Sequence, residues 1–159
     1  MEPFTIRRAG PADADALARL RFRFRTEIKR PAESEEAFAR RCGDWMARRL
    51  AADGLWRCWL AESPSGMLGH AWLQIWEKLP NPVGEPEWYG YVTNLYVVPD
   101  LRGGGVGGKL LEAAIEECRT GGVDTVILWP TPKSRSLYLR HGFTEADDVL
   151  ALYLSSETH

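Results

Sequence analysis

The chain has 159 residues, 45% of them apolar and 26% charged, the proportions of an ordinary globular protein and not of a disordered or collagen-like one. Its 20 basic residues against 22 acidic ones leave a net charge of −2, which excludes the strong basic excess of a dedicated nucleic-acid binder. No apolar run approaches the ~20 residues of a membrane span, and three scattered cysteines, Cys42, Cys58 and Cys118, build neither a disulfide framework nor a metal cluster.

The length suits one domain, expected over residues 1–159. The opening Met1-Glu2-Pro3-Phe4-Thr5 lacks the charged and apolar regions of a signal peptide, so the cytoplasm is the expected compartment. Residues 4–8 predict a short strand. From Asp13 onward, Leu17, Leu20, Phe24 and Ile28 fall on one helical stripe that Pro31 stops, with Arg19, Arg21, Arg23 and Arg25 on the wet face. Ser34 is the expected cap of a second helix, with Phe38, Cys42, Trp45 and Leu50 at helical spacing and an end at Asp53-Gly54.

Residues 55–62 and 67–76 predict a hairpin joined by Ser63-Pro64-Ser65-Gly66. Residues 79–86, with three prolines and a glycine, read as a loop, and 88–98 as a strand closed by Pro99-Asp100. A glycine cluster then leads into a helix with Val106, Leu110, Ala114 and Cys118 on one face, ended by Gly121-Gly122. A strand over 123–129, a short helix over about 134–141 and a last strand over 149–154 complete the order β-α-α-β-β-β-α-β-α-β. Antiparallel strands feeding one late βαβ unit predict an α/β (α+β) fold, with a mixed, mostly antiparallel sheet and helices on both faces.

Residues 102–109 read Arg-Gly-Gly-Gly-Val-Gly-Gly-Lys between a strand and a helix. Glycines there let the backbone approach a ligand, and the unpaired amides of the following helix face it with the positive end of the dipole, so a phosphate is the natural guest. Gly103 to Lys109 fits G-x-x-x-x-G-K, but Leu110 stands where a P-loop needs Ser or Thr for magnesium, which argues against a nucleotide-binding module. Gly103, Gly105 and Gly108 fit G-x-G-x-x-G, but too late in the chain for a dinucleotide fold, and Asp124 precedes its strand instead of ending it. Arg102-x-x-Gly105-x-Gly107 is the third pattern in the same letters.

On that third pattern the chain resembles the GNAT superfamily of acyl-CoA-dependent N-acetyltransferases, whose pyrophosphate loop reads Gln/Arg-x-x-Gly-x-Gly/Ala after the fourth strand. Ile6-Arg7-Arg8-Ala9 and residues 13–20 are similar to the family's first strand and helix. Ala61-Glu62 and Leu68-Gly69-His70-Ala71 resemble its second and third strands, and Thr93-Asn94-Leu95-Tyr96-Val97-Val98-Pro99 its fourth. Leu137-Tyr138-Leu139-Arg140-His141-Gly142-Phe143 resembles the late Leu-Tyr-x-x-x-Gly-Phe signature, so the likeness covers nearly the whole chain.

The resemblance implies acetyl-CoA as acyl-donor cosubstrate and an amine of a small molecule or peptide as acceptor; many relatives pair as homodimers, an option the sequence leaves open, and three histidines without ligand spacing argue against a metal. It implies a fourth strand that bulges and splays from the fifth, leaving a V-shaped gap. Backbone groups of Leu95, Tyr96 and Val97 would pair there with the pantetheine arm like an added strand. The amide near Val97 would face the thioester carbonyl. Amides across Arg102, Gly103, Gly104, Gly105, Val106, Gly107 and Gly108 would hold the pyrophosphate, with Arg102 touching a phosphate or bracing the turn. Where many relatives place an Asn before the late tyrosine, this chain has Thr131, with Ser134 nearer; either hydroxyl could serve the arm.

Attack on a thioester needs a neutral amine, a tolerated oxyanion and a proton for the departing thiolate. Tyr138 matches the family's tyrosine near the sulfur and is the expected general acid. Glu87, at the start of the fourth strand, is either the base or a solvated loop carboxylate, and with Glu77 and Glu85 it forms an acidic cluster that would either favour a cationic amine or only solvate the loop. Deeper in the strand Tyr91, Thr93 and Asn94 offer no group that takes a proton near pH 7. His70 lies mid-strand, packed or catalytic. Of seven tryptophans, Trp56, Trp59 and Trp129 are expected in the core, while Trp72, Trp76 and Trp88, with Phe24 and Trp45, border the acceptor side by family analogy. The rival on the same fold is a non-catalytic acyl-CoA sensor or scaffold.

Overall fold

Five strands, β1 (Thr5–Arg8), β2 (Trp56–Ser63), β3 (Gly66–Glu77), β4 (Trp88–Val97) and β5 (Thr125–Ile127), join in the order β1-β2-β3-β4-β5. The first three pairings are antiparallel and β4–β5 is parallel, the mixed, mostly antiparallel α/β arrangement that the sequence predicts. The computed structural model describes residues 2–51 and 54–154. The chain forms two units, Met1–Trp129, which holds the whole sheet, and Pro130–His159.

Consecutive strand residues point to opposite faces, and the helices of the first unit divide accordingly. Ala14, Leu17 and Ala18 of α1 (Ala14–Thr26) and Ala39 and Met46 of α2 (Glu35–Ala51) close over Cys58, Leu60 and Trp72. On the opposite face Cys118 of α3 (Val106–Thr120) lies against Gly90 and Leu73, so near that a Cβ on Gly90 would stand 2.9 Å from its sulfur. Leu17, Leu60, Leu73, Leu110 and Leu111 are all fully buried. Each contributes about 1.5–3 kcal/mol by leaving water, so the core sits between sheet and helices on both sides.

Several boundaries differ from the periodicity. α1 stops at Thr26, before Pro31, because the amides of Ile28 and Lys29 turn back to the Arg25 carbonyl; Ile28 is exposed. α2 starts as expected, with Ser34 Oγ accepting the Ala37 amide at 3.2 Å. It buries Ala39, Gly43 and Met46 in place of Phe38, since small residues let it approach α1: a Cβ on Gly43 would lie 3.8 Å from the Ala14 carbonyl. The predicted end at Asp53 lies outside the described residues, as do Met1 and residues 155–159. β5 is three residues long, not seven. The predicted strand over 149–154 is absent: that stretch has no regular structure, and a short apolar run makes no strand without a partner to pair with.

Candidate functional site

β4 breaks its register in the middle. His70 pairs with Tyr96 and Trp72 with Thr93, so Asn94 and Leu95 together oppose the single residue Ala71. This is a β-bulge, and Asn94 occupies it with φ 53°, in the left-handed region that asparagine tolerates better than most residues. Gly69 admits the distortion, because a Cβ there would fall 2.3 Å from the Tyr96 carbonyl oxygen. On its other edge β4 pairs with β5 at Tyr89, Gly90 and Tyr91 alone. From Val92 onward that edge has no strand partner among the described residues. Val98 donates its amide to the Leu68 carbonyl, so strand alternation turns the backbone groups of Leu95 and Val97 toward the open edge. The bulge and the parted strands are those that the resemblance implies.

The chain leaves β4 through Arg102 and reaches α3 by Gly103 and Gly105, at φ 85° and 84°, with open space where each Cβ would stand. Gly105 caps α3 with no side-chain hydrogen bond, and no acidic residue lies in the first turn. The amides of Val106, Gly107 and Gly108 are therefore offered to an anion at the positive end of the helix dipole. Val106 contributes only backbone, its side chain being fully buried.

Arg102 braces this loop. Its Nε donates to the Val97 carbonyl at 2.9 Å and its terminal amine to both Glu27 oxygens, at 3.1 and 2.8 Å. Glu27, just past α1, also accepts the Tyr96 hydroxyl at 2.7 Å. Burial first and this hydrogen bond second push the Tyr96 phenol up to about 12, so it stays a donor. Glu27 escaped the sequence reading because it lies 75 residues from Arg102 and belongs to no motif. Beneath Tyr96 lies His70, fully buried, with neither ring nitrogen hydrogen-bonded. Burial, with the nearby Arg21 cation second, pulls the imidazole down to about 3 and keeps it neutral. Arg21, half-buried on α1, donates to the Asn94 side-chain oxygen at 2.8 Å.

The aromatic residues divide otherwise than expected. Trp45, Trp56 and Trp72 pack on one another at 5.1–6.2 Å between centroids, and Trp72, 2% exposed, is core, with Trp45 and Trp56 half-buried against it. Trp129, expected in the core, is 57% exposed and stands edge-on to Tyr91 at 5.0 Å, with Trp76 on Tyr91 at 5.3 Å. The acidic cluster belongs to its own loop: Glu87 accepts the Asn81 amide and Glu85 the Asn81 side chain, both at 2.9 Å. Glu87 lies seven positions along the chain from the bulged Asn94, roughly 23 Å of extended strand.

In the second unit Ser134 and Thr131 hydrogen-bond each other at 2.9 Å and order the turn into α4 (Arg135–Arg140). Tyr138 packs edge-on against Phe143 at 5.8 Å, and burial raises its phenol pKa, so it holds its proton. Among the described residues no group of three or more His, Cys, Asp or Glu could hold a metal ion, and no helix is long and apolar enough to cross a membrane.

The model of the acetyltransferase (GNAT) family matches residues 15–143, across both units. An uncharacterised N-acetyltransferase of Methanocaldococcus jannaschii is 27% identical over 154 residues; the match covers 94% of this chain but 64% of the relative's length. A GCN5-related N-acetyltransferase from Ralstonia eutropha superposes with TM-score 0.76 at 27% identity, covering 96% of this chain and all of that one. A predicted acetyltransferase from Clostridium acetobutylicum, crystallised with acetyl-CoA, shares the fold at TM-score 0.77 and 23% identity, covering 99% and 100%.

Proposed function

We propose, for a chain that belongs to the acetyltransferase (GNAT) family, that it transfers an acetyl group from acetyl-CoA to an amine, as one domain built from both units. The observation that carries this reading is the pairing of the β4 bulge with the uncapped start of α3: an open backbone edge and a row of helix amides, joined by the loop 98–105. When bound, acetyl-CoA supplies an acyl group activated as a thioester. On this reading the amides of residues 106–108 hold its pyrophosphate, the edge at Leu95–Val97 holds its arm, and the Val97 amide stabilises charge on the acyl oxygen.

Support for Tyr138 as general acid is its protonated, half-buried phenol in the late signature. Thr131 and Ser134 order the turn before it. We assign Glu87 to ordering the loop, its carboxylate being taken by Asn81 and distant from the bulge, and leave the amine's proton to water. The test is release of free coenzyme A from acetyl-CoA, measured over amines, amino acids, aminoglycosides and peptides. Amine-dependent release is expected, and none with any acceptor would contradict the reading.

A further inference from the structure

We propose that Arg21 is the counter-ion of an anionic group, carboxylate or phosphate, carried by the acceptor, so that the amines served are amino acids or amino-phosphates and not plain or polycationic amines. This rests on the transfer reading and adds to it the acceptor's class and the residue that selects it.

The other arginines that reach the sheet are answered by carboxylates: Arg7 by Asp13 and Glu62, Arg57 by Glu117, Arg102 by Glu27. Arg21 is half-buried, yet no carboxylate pairs with it among the described residues. Its hydrogen bond to the Asn94 side-chain oxygen uses one of five guanidinium donors, and its other neighbour is the Phe24 ring, 5.7 Å from the guanidinium carbon; both are neutral, so no anion among the described residues balances the charge. A cation drawn out of water costs free energy unless an anion offsets it, and Arg25 one turn on adds to the positive field.

Place points to the same use. Asn94 is the bulged residue itself, so Arg21 stands over the kink beside the open edge assigned to the acyl group. Tyr91 pairs with Gln74 and so shares the sheet face that α1 covers; with Trp76 and the exposed Trp129 it gives that region an aromatic wall. An anion on Arg21 would anchor one end of an acceptor whose apolar part meets these rings. The carboxylates that would instead draw a cation, Glu77, Glu85 and Glu87, lie at the other end of β4, where Glu77 pairs with Trp88 and the other two are bonded to Asn81.

The test uses the full chain and matched acceptors: L-phenylalanine against 2-phenylethylamine for a carboxylate, O-phosphoethanolamine against ethanolamine for a phosphate. The expected result is at least tenfold higher kcat/KM for the anionic member of one pair, and that pair identifies the anion. Arg21→Gln, which keeps a donor for Asn94, should abolish the preference mainly through KM, and Arg21→Lys should restore part of it. Equal or better turnover of the uncharged partners by wild type, or a preference that survives Arg21→Gln, overturns the proposal while leaving acetyl transfer standing. If no amine is acetylated, the transfer reading fails, and binding still decides on Arg21. With coenzyme A present, 3-phenylpropanoate or phenyl phosphate should raise the Tm of wild type and not of Arg21→Gln; no shift in wild type overturns the proposal.

Discussion

Arg102 and Glu27, 75 residues apart, meet in a two-oxygen ion pair that ties the loop after β4 to the end of α1. The arginine that opens the family's loop pattern is thus a brace here, with Tyr96 donating to the same carboxylate. Glu27→Gln should therefore loosen the loop and weaken acetyl-CoA binding, by about threefold given the modest worth of an exposed pair. Calorimetric titration checks this. Tighter binding in the variant would mean that Glu27 restrains an arginine whose partner is a phosphate.

Gly69 is required by the bulge across from it. Alanine would place its Cβ 2.3 Å from the Tyr96 carbonyl, and the strand must move. Overpacking of this kind costs about 1–3 kcal/mol, and because the movement falls on the open edge, acetyl-CoA affinity should fall as well. Gly10→Ala, where nothing lies within 4 Å, is the control. Urea denaturation and titration of both variants give the comparison.

His70 makes stability depend on pH. Its folded pKa of about 3 lies below the value of about 6.5 in an unfolded chain, so between these the unfolded state binds the extra proton. Stability from this group is full above pH 6.5 and declines as pH falls toward 3, by up to about 1.4 kcal/mol per unit. His70→Leu should flatten the Tm profile between pH 7 and 4.5 relative to wild type. Parallel profiles would show that the imidazole is protonated in the fold.

The chemistry separates two residues. Tyr138→Phe keeps the ring that packs on Phe143 and removes the proton, so kcat should fall by about 10²–10⁴ with acetyl-CoA affinity unchanged. Glu87→Gln should keep kcat within twofold and lower Tm slightly through the Asn81 contact. A collapse of kcat in Glu87→Gln would return it to the role of base.

Local signals in the sequence carried far. The glycine cluster after the fourth strand marks the entry to a helix, and the hairpin turn at 63–66 appears as read. Long-range partners escaped. Nothing in the stripe of α1 shows that Glu27 turns back to Arg102 and Tyr96, or that Arg21, one of four alternating arginines, leaves the wet face for Asn94. Trp129, expected inside, is exposed, and Trp72, expected at the acceptor side by family analogy, is buried, because burial depends on which neighbours a residue meets.

The coenzyme site is tested most directly by Gly107→Glu in the first turn of α3. Gly107 is helical, so glutamate there meets no backbone strain, gains about half a kcal/mol of helix propensity and suits the dipole, while its charge takes the place assigned to a phosphate. Thermal unfolding with and without acetyl-CoA is the measurement. The expected result is an unliganded Tm equal to or above wild type and no stabilisation by acetyl-CoA; a ligand shift as large as that of wild type would contradict the placement of the coenzyme on this loop.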